Sequence, residues 1–255
     1  MEAEVIGPIL AVREGWAVFR RHAPVLLSGC VVCLSILFAC AIIPIPYLNW
    51  VLVAAVIFPL LGGLHTLFLR ASRGPGAKLS DLFFGFRRFI HWHATGWGLT
   101  VVWVLFLIPC LIIANLMLMF ALPNDVTPAF SPPWQALELS SVFAASLVAF
   151  AIYLRYVFTW LAAAEVSNTS AAVARSQEII RGRRLRLFLT SATLGLLGPV
   201  GLLYAGGVVY ILNANAFGRP GWLVYWMAVV CSSPLALASF VSVYNHLAPP
   251  SANNQ

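Results

Sequence analysis

"VLLSGCVVCLSILFACAII", Val25–Ile43, runs from end to end without a charged residue. A run of about 18 or more apolar residues is long enough to cross the hydrocarbon of a bilayer as a helix. Five further stretches meet the same test: Trp50–Leu69, Ala94–Leu122, Leu139–Ala164, Leu187–Leu212 and Trp222–Leu247. Of 255 residues, 61% are hydrophobic and 9% charged, and the mean hydropathy is +0.91. Soluble domains carry about a quarter charged residues, so this balance excludes the ordinary soluble classes. Backbone groups cannot stay unpaired in lipid, so helices must carry the spans. A barrel would need alternating segments of about 10 residues, and the chain has none.

The expected fold is therefore all-α: one six-span transmembrane domain over residues 1–247, arranged in three hairpins, with a disordered tail over residues 248–255. Residues 1–24 carry Glu2, Glu4, Arg13, Glu14, Arg20 and Arg21 before any apolar run, and no small-residue cleavage pattern follows Ile43. The first span is expected to be retained rather than removed as a signal peptide.

Basic residues orient such a chain, because they stay on the cytoplasmic side. Arg13, Arg20 and Arg21 precede span one. Arg70, Arg73, Lys78, Arg87 and Arg88 lie between spans two and three, and Arg175, Arg181, Arg183, Arg184 and Arg186 between spans four and five. Only Arg155, within a span, and Arg219, opposite, depart from one side. Both termini are expected on the cytoplasmic side of the membrane. The densest cluster, "SQEIIRGRRLRLFL" (Ser176–Leu189), suits a headgroup layer, where each cation contributes about 1 kcal/mol near an anionic surface. Candidate headgroup contacts are Arg20, Arg21, Arg87, Arg88, Arg181, Arg183, Arg184 and Arg186. Nucleic acid is not an expected partner, since these loops have no room for a domain that reads grooves or stacks bases.

The cytoplasmic entries share a pattern. "WAVFRR" (Trp16–Arg21) and "FFGFRR" (Phe83–Arg88) match, and "QEIIRGRR" (Gln177–Arg184) is a looser echo. Each is expected to include a short amphipathic helix lying in the interface plane. In the first, Val12, Trp16 and Phe19 form the apolar stripe, with Arg13 and Arg20 facing away. In the third, Asn168 or Ser167 caps a helix with Val173, Ser176 and Ile180 on one face and Arg175, Glu178 and Arg181 on the wet side; Gly182 stops it. Internal repetition and shared constraint at a membrane entry both explain the pattern. Pro59, Pro109, Pro199 and Pro234 fall inside spans, as packing kinks or hinges. Gly62 and Gly63 in span two, and Gly195, Gly198, Gly201, Ala205 and Gly206 in span five, mark close helix contacts.

Candidate chemistry is sparse. Arg155 lies ten residues before Glu165, about 15 Å along a helix, and these two are the candidate intramembrane charges. A charge at the bilayer centre costs at least about 2.5–3.5 kcal/mol, so Arg155 needs a partner on another helix, a lipid phosphate or a transported anion. His22, His65, His91, His93 and His246 all map toward the cytoplasmic edge, and a metal or haem between His65 and His93 or His246 is conceivable on that placement alone. Cys30 and Cys33 form a CxxC without a second redox pair, so they read as small apolar fillers. There is no Walker lysine motif, HExxH, GxSxG or in-span pair of carboxylates. No catalytic residue, metal site or cofactor is assigned, and the chain is not expected to be an enzyme.

"GGLHTLFLRASRGPGAKLSDLFFGFRRF" (Gly62–Phe89) and "YLRYVFTWLAAAEVSNTSAAVARSQEIIRGRRLRLFL" (Tyr153–Leu189) resemble segments of six-span bacterial membrane families of unknown function. Those families are related to the membrane domain that precedes some glycerophosphodiester phosphodiesterases. On that resemblance, Leu82, Phe83, Gly85, Phe86, Glu165, Ser176, Gly182 and Phe188 occupy motif positions, and "YNHL" (Tyr244–Leu247) matches the usual ending. The resemblance implies a fold and carries over no catalytic residue. The expected role is an accessory, scaffold or lipid-organising protein whose basic rim binds anionic headgroups, alone, with a protein partner or as a homo-oligomer. The alternative is a small transporter or channel with Arg155 lining the pathway.

Overall fold

The computed structural model describes residues 7–43, 45, 47–74, 76–121, 140, 141, 143–145, 148, 154–197 and 218–248. Among these there is no strand. The helices are α1 (Pro8–Ala41), α2 (Leu48–Arg73), α3 (Phe84–Arg87), α4 (Phe89–Ala121), α5 (Thr159–Glu165), α6 (Thr169–Ile180), α7 (Arg184–Leu197) and α8 (Gly218–Leu247), with 3-10 turns at Leu79–Phe83 and Leu154–Tyr156. Three described helices are long and apolar enough to cross a membrane: Pro8–Cys40, Val51–Arg73 and Phe89–Ile113. They overlap the first three expected spans, the first helix taking in the basic entry segment as well. Most of the fourth and fifth lies outside the described residues, and the sixth falls in α8.

α1 is two helices merged across a break at His22, whose backbone is non-helical. The cause is Pro24, which lacks an N–H and whose ring crowds the carbonyl four residues earlier. The break separates the basic entry segment from the apolar run. The buried stripe of that segment is Ala11 and Gly15, flanked by Val12, Val18 and Phe19, while Trp16 stays half exposed. Of the expected Val12–Trp16–Phe19 stripe, Val12 and Phe19 pack against the core and Trp16 lies beside Phe19, ring centroids 5.6 Å apart, while the innermost positions are Ala11 and Gly15. Small residues win the inner face because α8 passes close: a Cβ on Gly15 would overlap Ser239. Arg13 and Arg20 do face outward.

The largest core joins Leu26 of α1, Leu67 and Phe68 of α2, Phe158, Leu161 of α5, Ile180 of α6, Leu187 of α7 and Tyr244 of α8. Phe158 packs on Phe240 and Tyr244, with centroids 4.9 and 5.5 Å away. The outward faces remain apolar: Val31, Leu34 and Phe38 on α1, and Val101, Leu105, Ile108 and Ile112 on α4, are all exposed.

Leu139–Ala164 is not one continuous helix. A 3-10 turn over Leu154–Tyr156 and a following turn interrupt it before α5. The Ser176 hydroxyl donates to the Arg155 carbonyl at 3.1 Å, supplying a bond the interrupted helix no longer makes. α6 begins at an Asn168 cap, whose Oδ1 accepts from the Ser170 N–H at 2.9 Å. Its buried face is Ala172, Ser176, Ile179 and Ile180. Gly182 ends this region at φ +78°, a left-handed conformation that favours glycine.

Candidate functional site

The site starts from the last turn of α2. Arg70 and Arg73 lie there, where carbonyls point outward and cations complement the helix dipole. The chain then turns back, and the 3-10 turn with α3 lies directly on α2. Contact is backbone on backbone: a Cβ on Gly63 would overlap the Leu82 carbonyl, and one on Gly85 the Pro59 carbonyl. Leu82 is consequently fully buried. This seating presents Asp81, itself buried, to Arg70, with which it forms an ion pair. The second Asp81 oxygen accepts the Lys78 backbone N–H at 3.0 Å.

Phe84 follows at the head of α3. The Arg70 and Arg88 guanidinium carbons lie 5.5 and 5.3 Å from its ring centre, within the range of cation–π attraction. Arg88 also donates to the Val166 carbonyl, at 3.4 Å.

Glu165, at the end of α5, is the second anchor. One oxygen pairs with Arg73, and the other accepts the Tyr244 hydroxyl at 2.6 Å. Arg73 Nε donates to Asn245 Oδ1 at 3.0 Å, and Asn245 Nδ2 to Ser72 Oγ at 2.7 Å. Both ends of the amide are thus used. Arg73 ties together α2, α5 and α8, with its side chain 26% exposed and that of Glu165 20%. At this depth, an ion pair with several hydrogen bonds fixes geometry more than a surface pair does.

Beside this node lies a cleft of about 580 Å³, lined by Thr66, Arg70, Arg73, Phe84, Arg88 and Glu165 among others. A second cleft, of about 320 Å³, takes in Glu14, Arg21, Ser72, Asn245 and His246. There Glu14 and His246 Nε2 approach to 2.9 Å. The basic entry of α1 and the C-terminal ends of α2 and α8 therefore share one end of the molecule.

The histidines sit apart in separate bonds. His65 Nδ1 meets the Leu61 carbonyl at 2.7 Å, and its ring stacks on Trp160. His91 Nε2 donates to the Ala163 carbonyl at 3.1 Å, and Thr169 Oγ1 lies 3.3 Å from Nδ1. His93 faces the Phe89 and Ala54 carbonyls. Among the described residues no three metal-ligating side chains cluster. Cys30 and Cys33 are buried and unbridged.

Of the residues singled out in the sequence, Arg88 and Glu165 line the larger cleft and Arg21 the smaller. Arg155 is exposed in its turn beside α6 and is not among the residues lining either cleft. Arg20, Arg87, Arg181, Arg184 and Arg186 are exposed, and Arg183 half-buried. Arg70, Arg73, Asp81, Phe84, Tyr244 and Asn245 went unrecognised as site residues. The available signal was the presence together of the Gly62–Phe89 and Tyr153–Leu189 segments and the terminal "YNHL", each carrying one part of the node.

The described residues are thus all-helical, with three helices long and apolar enough to cross a membrane and a polar, arginine-rich node at one end. No protein-family model matches the chain, and neither a curated protein nor a solved structure matches it.

Proposed function

We propose that this chain is a six-span, non-enzymatic protein of a bacterial inner membrane, with both termini cytoplasmic, in-plane helices at that face and a basic rim that holds anionic lipid. Its role is then accessory or lipid-organising, within a homo-oligomer or beside a protein partner. The observation that carries the reading is the contrast between outward apolar faces on α1 and α4 and outward arginines at Arg20, Arg21, Arg87, Arg181, Arg184 and Arg186. Exposed hydrocarbon beside exposed guanidinium is the surface that a headgroup layer accommodates. α8, at 30 residues, supports a sixth span, since about 20 suffice. The family resemblance of the Gly62–Phe89 and Tyr153–Leu189 segments points to the same architecture.

The test is mild extraction of the full chain, followed by mass spectrometry of retained lipids and proteins. Enrichment of anionic phospholipid over its share in the membrane is expected, reduced by joint replacement of Arg181, Arg183, Arg184 and Arg186 with Gln. A retained lipid profile equal to the bulk membrane in both proteins would overturn the reading.

A further inference from the structure

We infer that the cleft beside the Arg73–Glu165 pair is a discrete phosphate-binding site, in which Arg70 and Arg88 grip one phosphate group. The inference rests on the lipid reading above and deepens it from a diffuse rim to a single pocket. Three guanidiniums, Arg70, Arg73 and Arg88, line the cleft or its wall. Two carboxylates face them: Asp81 engages Arg70, and Glu165 engages Arg73. Arg88 has no carboxylate partner among the described residues, only the long bond to the Val166 carbonyl. A guanidinium offers five N–H donors in a fixed fork that matches phosphate oxygens, and most of Arg88's are left for a ligand.

Phe84 supplies the positioning. Both guanidiniums lie against its ring, so one aromatic side chain anchors both cations at the wall of the same cleft. The ring cannot drift, because α3 is seated on α2 through Gly63 and Gly85. A cleft of about 580 Å³ falls in the range of small-molecule sites. Arg73 is already committed to Glu165 and Asn245, so it shapes the wall and screens the Glu165 charge from an incoming anion. The ligand chemistry is a phosphate oxyanion, carried by a phospholipid headgroup or free in solution.

The experiment uses the full chain in phosphatidylcholine nanodiscs, titrated with phosphatidylglycerol or with inorganic phosphate and read by native mass spectrometry. One tightly held phosphatidylglycerol per chain is expected, weakened about tenfold or more by Arg88→Gln, the scale of one lost charge-assisted hydrogen bond. Retention of inorganic phosphate alone, equally sensitive to Arg88→Gln, supports the site with a soluble ligand. If phosphatidylglycerol binding survives Arg88→Gln but falls with Arg183→Gln and Arg184→Gln, the pocket is refuted while the lipid reading stands. If the wild type retains neither probe, both fall. Dicarbonyl labelling of arginines in the wild type decides the matter independently of folding of the variant. Phosphatidylglycerol or inorganic phosphate is expected to protect Arg88 while Arg13, exposed on α1 and outside the basic rim, stays reactive, and unchanged labelling of Arg88 with both overturns the pocket.

Discussion

Replacing Gly63 by Ala adds one methyl group, at a place where backbone meets backbone. The new Cβ would overlap the Leu82 carbonyl, which is no flexible side-chain end, so the 3-10 turn must lift off α2. Overpacking of this kind costs about 1–3 kcal/mol. If the turn lifts far enough to expose Leu82, now fully buried, roughly another 2 kcal/mol is lost. The expected destabilisation is about 3 kcal/mol. At about 2–4 °C per kcal/mol for a chain of this size, the melting temperature falls by about 6–12 °C. Gly98 is the internal control: it lies in α4 with open space around its Cβ position. There the same substitution removes a helix-disfavouring residue and contributes about 0.5–1 kcal/mol of stability. Thermal unfolding of both variants in one detergent, followed by size-exclusion chromatography of fluorescent fusions, reads the two opposite shifts. Equal melting temperatures for Gly63→Ala and Gly98→Ala would refute the seating of the turn on α2, and with it the positioning of Phe84.

Three further outcomes are expected. Tyr244→Phe removes a 2.6 Å hydrogen bond to Glu165 and costs about 1.5–3 kcal/mol, the range for bonds to charged groups; chemical denaturation in detergent measures it, and a loss below 0.5 kcal/mol contradicts the node. Asn168→Ala deletes the α6 cap at about 1 kcal/mol, seen as faster amide hydrogen exchange across the first turn while α5 stays unchanged. Glu14→Gln breaks the half-exposed pair with His246, costing at most about 1 kcal/mol; its difference from wild type should vanish at high salt, where such pairs are screened.

The all-helical class and the first three membrane-length helices were legible from composition and run length, because hydrocarbon thickness converts directly into a count of apolar residues. The α6 cap and the Gly182 stop were legible too, since caps and left-handed turns are local chemistry. Other features turned on contacts distant in sequence. Ala11 and Gly15, rather than Trp16, face inward because α8 approaches there. Arg155 leaves a regular helix in favour of a turn whose carbonyl is bonded by Ser176, 21 residues away. Arg73 and Glu165 form one pair only because α2 and α5 end beside each other, against Tyr244 and Asn245 of α8. Periodicity along one helix says which faces are apolar, whereas partnership between charges depends on which helix ends meet, and that is decided by packing of the whole chain.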